Sequence, residues 1–292
     1  MTSPYGSQNP GDENNWNSQF GNPSGEQNYG QPYGTPYGQP FHQGYGAYNT
    51  PISLDTPPPS IHEAQWRPFD LGVVFGQAWK GFVATWQAWV LATLVFYAIT
   101  FLLMLVWFIP MFGVIAASTA DSEAAIMASL GGMSIVGFIV MALMFVISFV
   151  WTLNCYRNAA RVVRGEQINV QSFFKFQGLG KALAIYILVA IVTMIGTLLL
   201  VIPGIVAAVV LVFAVPAAFQ LRDVSVGDAF SASWKAVSKN VGATILLLLA
   251  AFALNFLGGA IVIGVLVTTP LTYLLYAYAF QNTIGGPIMQ RQ

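Results

Sequence analysis

Charge is what this chain has least of. Only 8% of its 292 residues are Asp, Glu, Lys or Arg, against 56% hydrophobic. A water-facing domain carries roughly a quarter charged residues. Too little polar surface remains to cover a globule in water, which excludes an ordinary soluble domain and points to a polytopic membrane protein. Cysteine is nearly absent. Cys155 alone excludes an intramolecular disulfide and a Cys-based metal site, and reads as a small apolar filler near a helix end. Both histidines, His42 and His62, fall before residue 66, so the hydrophobic region offers no imidazole. Residues 1–65 hold no Lys or Arg and five acids, a charge of −5, while the remainder holds all 11 basic residues and six acids. The opening MTSPYGSQNPGDENN has neither a basic nor an apolar leader region, so insertion is expected from internal segments.

What residues 1–65 do contain is Gly, Asn, Gln, Pro, Ser and Tyr, including YGQPYGTPYGQP at 29–40. Such a segment buries too little apolar area to offset its backbone entropy, so a disordered tail is expected. The membrane domain is expected over 66–292. Its first apolar run, 88–117, is long enough to cross a bilayer with tilt, and Pro110 kinks or ends it. The second, 134–155, is a comfortable span. The third, 182–221, and the fourth, 241–280, are each 40 residues, too long for one crossing. Pro203-Gly204 divides the third. For the fourth, Gly258-Gly259 and Thr268-Thr269-Pro270 compete. A turn between 258 and 264 is preferred, because the other choice leaves a last helix of about a dozen residues, short of a span. The expected fold class is therefore all-α, with six transmembrane helices in three hairpins. Every Lys and Arg then falls on one side, which the positive-inside rule makes cytoplasmic. Both termini are expected inside a bacterial plasma membrane.

Before each hairpin the chain repeats one pattern: DLGVVF at 70–75, NVQSFF at 169–174 and SVGDAF at 225–230. Each opens with a good helix N-cap, Asp70, Asn169 or Ser225. Ser225 and Asp228 have capping-box spacing. Leu71, Val74, Phe75, Ala78, Trp79, Phe82 and Trp86 share one helical face. The expectation is three interfacial amphipathic helices, one leading into each hairpin.

VIPGIVAAVVLVFAVPAAF followed by SVGDAFSASWKAVSKN resembles a large family of bacterial integral membrane proteins, similar to the membrane domain found beside some glycerophosphodiester phosphodiesterases. The shared signs are the Pro-Gly step, Pro216, and the pattern of Ala229, Phe230, Ser233 and Trp234. The resemblance covers about residues 66–285 and implies a fold more than an activity. The phosphodiesterase itself is a separate soluble module that this chain does not encode. The Tyr/Gly/Pro/Gln leader looks like those of actinobacterial membrane proteins.

Catalysis needs groups that move protons or hold a metal, and the expected crossings contain no Asp, Glu, Lys, Arg or His. No catalytic residue, cofactor or metal is expected, and no nucleic-acid partner. Asn154 and Asn255 are the most polar side chains in the crossings. They read as interhelical glue or, alternatively, as the lining of a polar path. Arg157, Arg161 and Arg164 share one helical face below the second crossing. They read as topology determinants or as contacts for anionic lipid headgroups. In the tail, Tyr29, Tyr33 and Tyr37 head a set of spaced aromatics suited to weak multivalent contacts with other membrane or envelope proteins. The expected function is a non-enzymatic membrane scaffold or accessory subunit. The alternative is a lipid or small-molecule translocator acting between the hairpins.

Overall fold

The computed structural model describes residues 57–119, 123–261 and 263–288, with the side chains of Met133 and Ser134 excepted. Among the described residues the chain is all-helical, without strands. It contains α1 (Leu71–Thr119), α2 (Glu123–Val163), α3 (Gly180–Leu199), α4 (Val201–Val210), α5 (Ala214–Gln220), α6 (Val226–Lys239), α7 (Val241–Ala260) and α8 (Val265–Ile284). Five segments are long and apolar enough to cross a membrane: α1, α2, α3, the α4–α5 stretch Val201–Gln220, and α7.

The centre is α8. It touches α1, α2, α5, α6 and α7, and nearly every residue from Pro270 to Ile284 is buried. Its burial explains its composition. A helix covered by other helices can carry Thr272, Gln281, Asn282 and Thr283, because their partners come from protein rather than lipid. Asn282 Nδ2 donates to Gln77 Oε1 on α1 (2.7 Å), and Thr283 Oγ1 to Ala279 O (2.9 Å). Aromatic rings lock α8 to its neighbours. Tyr273 meets Tyr156 of α2 edge-on at 4.9 Å, and Phe280 lies 5.7 Å from Phe213. α1 passes so close that a Cβ at Gly81 would stand 2.8 Å from the Tyr278 hydroxyl oxygen. Pro270 sits inside α8, and the chain turns between Ala260 and Val265, within the preferred 258–264 window.

The three N-caps form as expected, but they open three different structures. Asp70 Oδ1 accepts from Val73 N (2.9 Å), yet the helix it starts runs unbroken for 49 residues, about 73 Å. It is not a separate interfacial helix, and Pro110 does not end it. On its first turns Val74, Ala78 and Phe82 are buried by protein, while Phe75, Trp79 and Trp86 are exposed. Asn169 Oδ1 accepts from Ser172 N (3.0 Å), but it opens only a five-residue 3-10 turn, Val170–Phe174. Its Phe173 is wedged between Trp89 (4.8 Å) and Trp151 (5.6 Å). Such wedging requires a tight turn where a continuing helix would carry the ring away. Only Ser225 opens a free-standing amphipathic helix. In α6 the capping box is complete, with Asp228 N donating to Ser225 Oγ (3.1 Å) and Ser225 N to Asp228 Oδ2 (3.0 Å).

The third apolar run also divides elsewhere than expected. The chain reverses at Leu200, and Pro203 lies in the first turn of α4, where its missing N–H has no intrahelical partner to lose. Gly204 is used for proximity. A Cβ there would meet Thr197 N at 2.7 Å, and one at Gly196 would meet Gly204 Cα at 3.0 Å. After Val210 the helix breaks over 211–213 before α5 begins. Pro216 accounts for the break, since it cannot donate to Val212 O and its ring crowds that carbonyl. Ser233 of α6, fully buried, repairs it by accepting from Phe213 N (3.1 Å) and donating to Val210 O (2.6 Å).

Residues 59–69 form a strap across this end of the helices, so 59–65 belong with the folded body rather than with the tail. Arg222 N donates to Pro59 O (3.0 Å), Gln65 N to Ile284 O (3.0 Å) and Arg67 N to Thr283 O (2.7 Å). Lys235 Nζ stands 5.5 Å over the Trp66 ring. Asn240, the single residue between α6 and α7, accepts from Phe69 N (2.8 Å) and donates to Arg67 O (3.2 Å) and Ala236 O (2.9 Å).

Candidate functional site

The last turns of α2 carry Arg157 and Arg161, Arg164 follows directly after its end, and the structure brings the three together on the linker to α3. Each works as a clamp. Arg157 Nη1 donates to Gln177 O (2.7 Å), and its Nη2 lies 3.3 Å from Ser172 O. Arg161 Nε and Arg164 Nε grip the two oxygens of Glu166 at 2.7 and 3.0 Å. Arg161 Nη2 reaches Gln167 O (3.2 Å), and Arg164 Nη1 reaches Phe219 O of α5 (3.2 Å). The trio thus ties linker and α5 to α2. Its N–H groups are directed at protein oxygens, which leaves it poorly placed to grip a lipid phosphate.

Glu166 carries little signal in the sequence beyond being a lone acid two residues after Arg164. Burial opposes its charge, but the Arg161 hydrogen bond and the Arg164 guanidinium outweigh burial and hold its carboxyl below the usual carboxylate range. A depressed carboxyl contributes stability above its unfolded value, about pH 4.3, and loses it as pH falls through the folded value. Hydrogen exchange of linker amides 165–177 is therefore expected to be steady at neutral pH. Corrected for intrinsic rates, it should rise once the pH drops below about 4.3. Glu166→Gln should show the raised exchange throughout, without the step. Identical profiles for the two proteins would disprove the clamp.

Asn154, on α2 and fully buried, donates from Nδ2 to Lys175 O (3.0 Å), while its Oδ1 has no protein partner. Asn255, on α7, donates to Ala251 O (2.7 Å) and to Thr272 Oγ1 on α8 (3.0 Å). Among the described residues α2 and α7 do not touch. Each asparagine fastens a local junction. Tyr29, Tyr33 and Tyr37 lie outside the described residues. No group of three or more His, Cys, Asp and Glu side chains able to hold a metal occurs among the described residues.

Sequence reasoning missed the apolar groove between α2 and α3. These two helices barely meet, whereas α1 packs along α2 and α3 along α4. The separation leaves a groove of about 650 Å³, open on one side. Phe145, Phe149 and Leu153 form one wall, Leu183, Ile187 and Met194 the other, and Phe176 stands at its end. It arises where two helices fail to pack, which periodicity within either helix does not encode.

Long apolar helices around a buried central helix define a multi-pass helical membrane protein. Among known proteins, 130 residues (44% of this chain) are 32% identical to a stretch of Uncharacterized protein Rv2560 of Mycobacterium tuberculosis strain H37Rv, and the match covers 40% of that protein. Uncharacterized protein Mb2590 of Mycobacterium bovis is 31% identical over the same length and the same shares. The chain thus spans about two fifths of the length of the curated relatives it matches, and its homology to these mycobacterial proteins is distant. No family model and no solved structure matches it.

Proposed function

We propose that this chain is a non-enzymatic scaffold or accessory subunit of the bacterial plasma membrane, crossing the bilayer six times in three hairpins. α8 would be the sixth crossing; its 20 residues measure about 30 Å, one hydrocarbon core. The observation that carries the reading is how the polar groups of the crossings are spent. Asn255, Thr272 and Asn282 bond to neighbouring side chains or to their own helix backbone, which supports a role in holding helices together. The cations support the orientation. The strap, the end of α2, the linker, α6 and the end of α8 meet at one pole, and the segments about the opposite turns, 118–134, 199–204 and 259–264, contain no Lys or Arg. That pole would face the cytoplasm, and the Tyr-Gly-x-Pro tail would share it.

In this reading the tail, with Tyr29, Tyr33 and Tyr37, recruits or clusters membrane or envelope proteins at the inner face. The resemblance to the membrane domain beside glycerophosphodiester phosphodiesterases fits an integral membrane role, and the mycobacterial relatives are uncharacterized proteins. They supply no activity for this chain. Deleting residues 1–50 is expected to disperse a fluorescent fusion and shrink the set of co-purifying proteins. Unchanged clustering with an unchanged set would refute the tail's role. The second reading, a translocator, is favoured by one observation, the groove between α2 and α3; transport in proteoliposomes of the purified chain would establish it.

A further inference from the structure

We infer that the groove between α2 and α3 is a seat for one anionic phospholipid, its acyl chain against the apolar walls and its phosphate at Lys175 and Lys181. The inference rests on the membrane reading of the chain and not on the scaffold role. Three observations lead to it.

The first is shape. The groove is lined from Leu179 to Met194 on α3, a rise of about 22 Å. One leaflet is about half of a roughly 30 Å core, so the groove covers the full depth of a chain rooted at its linker end. The lining is carbon almost throughout, and a chain resting there gains contact on two helices where the flat surface of one helix gives contact on one side only.

The second is charge. The linker end of the groove is marked by Phe176, Leu179 and Gly180, and this set is flanked in sequence by a lysine on each side, Lys175 before Phe176 and Lys181 after Gly180. Both are exposed, and neither joins an ion pair among the described residues. The acids of this pole are committed elsewhere: Glu166 to Arg161 and Arg164, Glu63 and Asp223 to Arg222, Asp228 to Ser225, and Asp70 to the cap of α1. Lysines near a charged lipid surface attract anionic headgroups, and the attraction grows with each one added.

The third is access. A Cβ at Gly178 or Gly180 would meet nothing within 4 Å, so the backbone between the two lysines leaves open space for a headgroup. Arg157, by contrast, is held on the Gln177 and Ser172 carbonyls. It fixes the linker and leaves the phosphate to the two lysines. Of the two readings of the arginine trio, topology determinant or lipid contact, this inference needs only the first.

The test uses the full chain in nanodiscs of equal phosphatidylglycerol and phosphatidylcholine, with retained lipid read by native mass spectrometry. The parent should keep phosphatidylglycerol several-fold over phosphatidylcholine. Lys175→Gln with Lys181→Gln should bring the ratio to about one. Ala190→Trp, which fills the groove from an exposed position, should lower retention of both lipids. A phosphatidylglycerol carrying a diazirine on its acyl chain should label peptides covering 145–153 and 179–194, which needs no variant. Equal retention of the two lipids by the parent overturns the inference. So does labelling that avoids these peptides, or a selectivity that survives the double lysine change. None of these outcomes touches the tail-deletion result, so the scaffold role stands or falls separately.

Discussion

Replacing Gly204 with leucine is expected to separate α3 from α4 and lower the thermal midpoint of the purified protein by roughly 5–10 °C. The added carbon meets the Thr197 hydroxyl first, which can rotate away, but the decisive contacts are with backbone. The first added carbon would approach Thr197 N at 2.7 Å and Thr197 Cα at 2.8 Å, and from the other side Gly196 looks onto Gly204 Cα at 3.0 Å. A flexible side chain can rotate out of the way; a helix backbone cannot, so the two helices must part. Overpacking costs about 1–3 kcal/mol where side chains yield, and a backbone clash belongs at or above the upper end. Each kcal/mol moves the midpoint of a chain of this order by about 2–4 °C. Gly259→Leu is the matched control. It adds the same side chain to an apolar helix where a Cβ meets nothing within 4 Å, and its midpoint should stay close to the parent's. Size-exclusion profiles after stepwise heating give both values. A Gly204→Leu protein that melts with the control would show that α3 and α4 do not touch at this point.

The same glycine shows where sequence reasoning succeeds and where it stops. Pro203-Gly204 marks a division of the third apolar run, and a division is there, but at Leu200. Proline as a breaker is a local rule, and its exception at the first helical turn is equally local. Choosing between them requires knowing which helix face the glycine must offer, and that depends on Thr197 across the reversal. The caps are legible because they are local: Asp70, Asn169 and Ser225 all bond as their spacing predicts. The element that each cap opens is not legible in the same way. Phe173 is drawn into a gap between Trp89 and Trp151, two residues contributed by different helices, and that pull decides between a 3-10 turn and a helix. The arginine trio is legible as a cluster from its i, i+4, i+7 spacing. Its clamp is not, because the acceptors at Gln177 and Phe219 are carbonyls that every residue carries. The strap reads as tail for a similar reason. Residues 59–65 are largely polar, directly after a proline run, and their bonds run through backbone to Ile284 and Arg222, which composition does not register.

Asn240→Ala tests whether the strap is fastened where these bonds place it. One buried side chain closes three contacts at once: it accepts from Phe69 N, and it donates to Arg67 O and Ala236 O. Alanine supplies none of them, and water reaches the site poorly, since Asn240 is only 5% exposed. A buried group left without a partner costs about 1–3 kcal/mol. With Phe69 N–H and the Arg67 carbonyl both stranded, a loss of about 2–4 kcal/mol is expected. The location of the damage is more telling than its size. Amide exchange should rise at Phe69, and then at Gln65 and Arg67, whose bonds to Ile284 O and Thr283 O depend on the strap lying flat. The amides of α3 and α4 should keep their protection, because the strap makes no backbone bond to them. Glu63→Gln weakens the exposed pair with Arg222, 3.2 Å apart, and should change little, since solvent already screens that contact. An Asn240→Ala protein whose Phe69 amide exchanges as slowly as the parent's would mean that the strap is held by its backbone bonds and aromatic contacts without Asn240. Phe69 against Phe213 and Trp66 under Lys235 would then be among the residues that fix where the tail leaves the folded body.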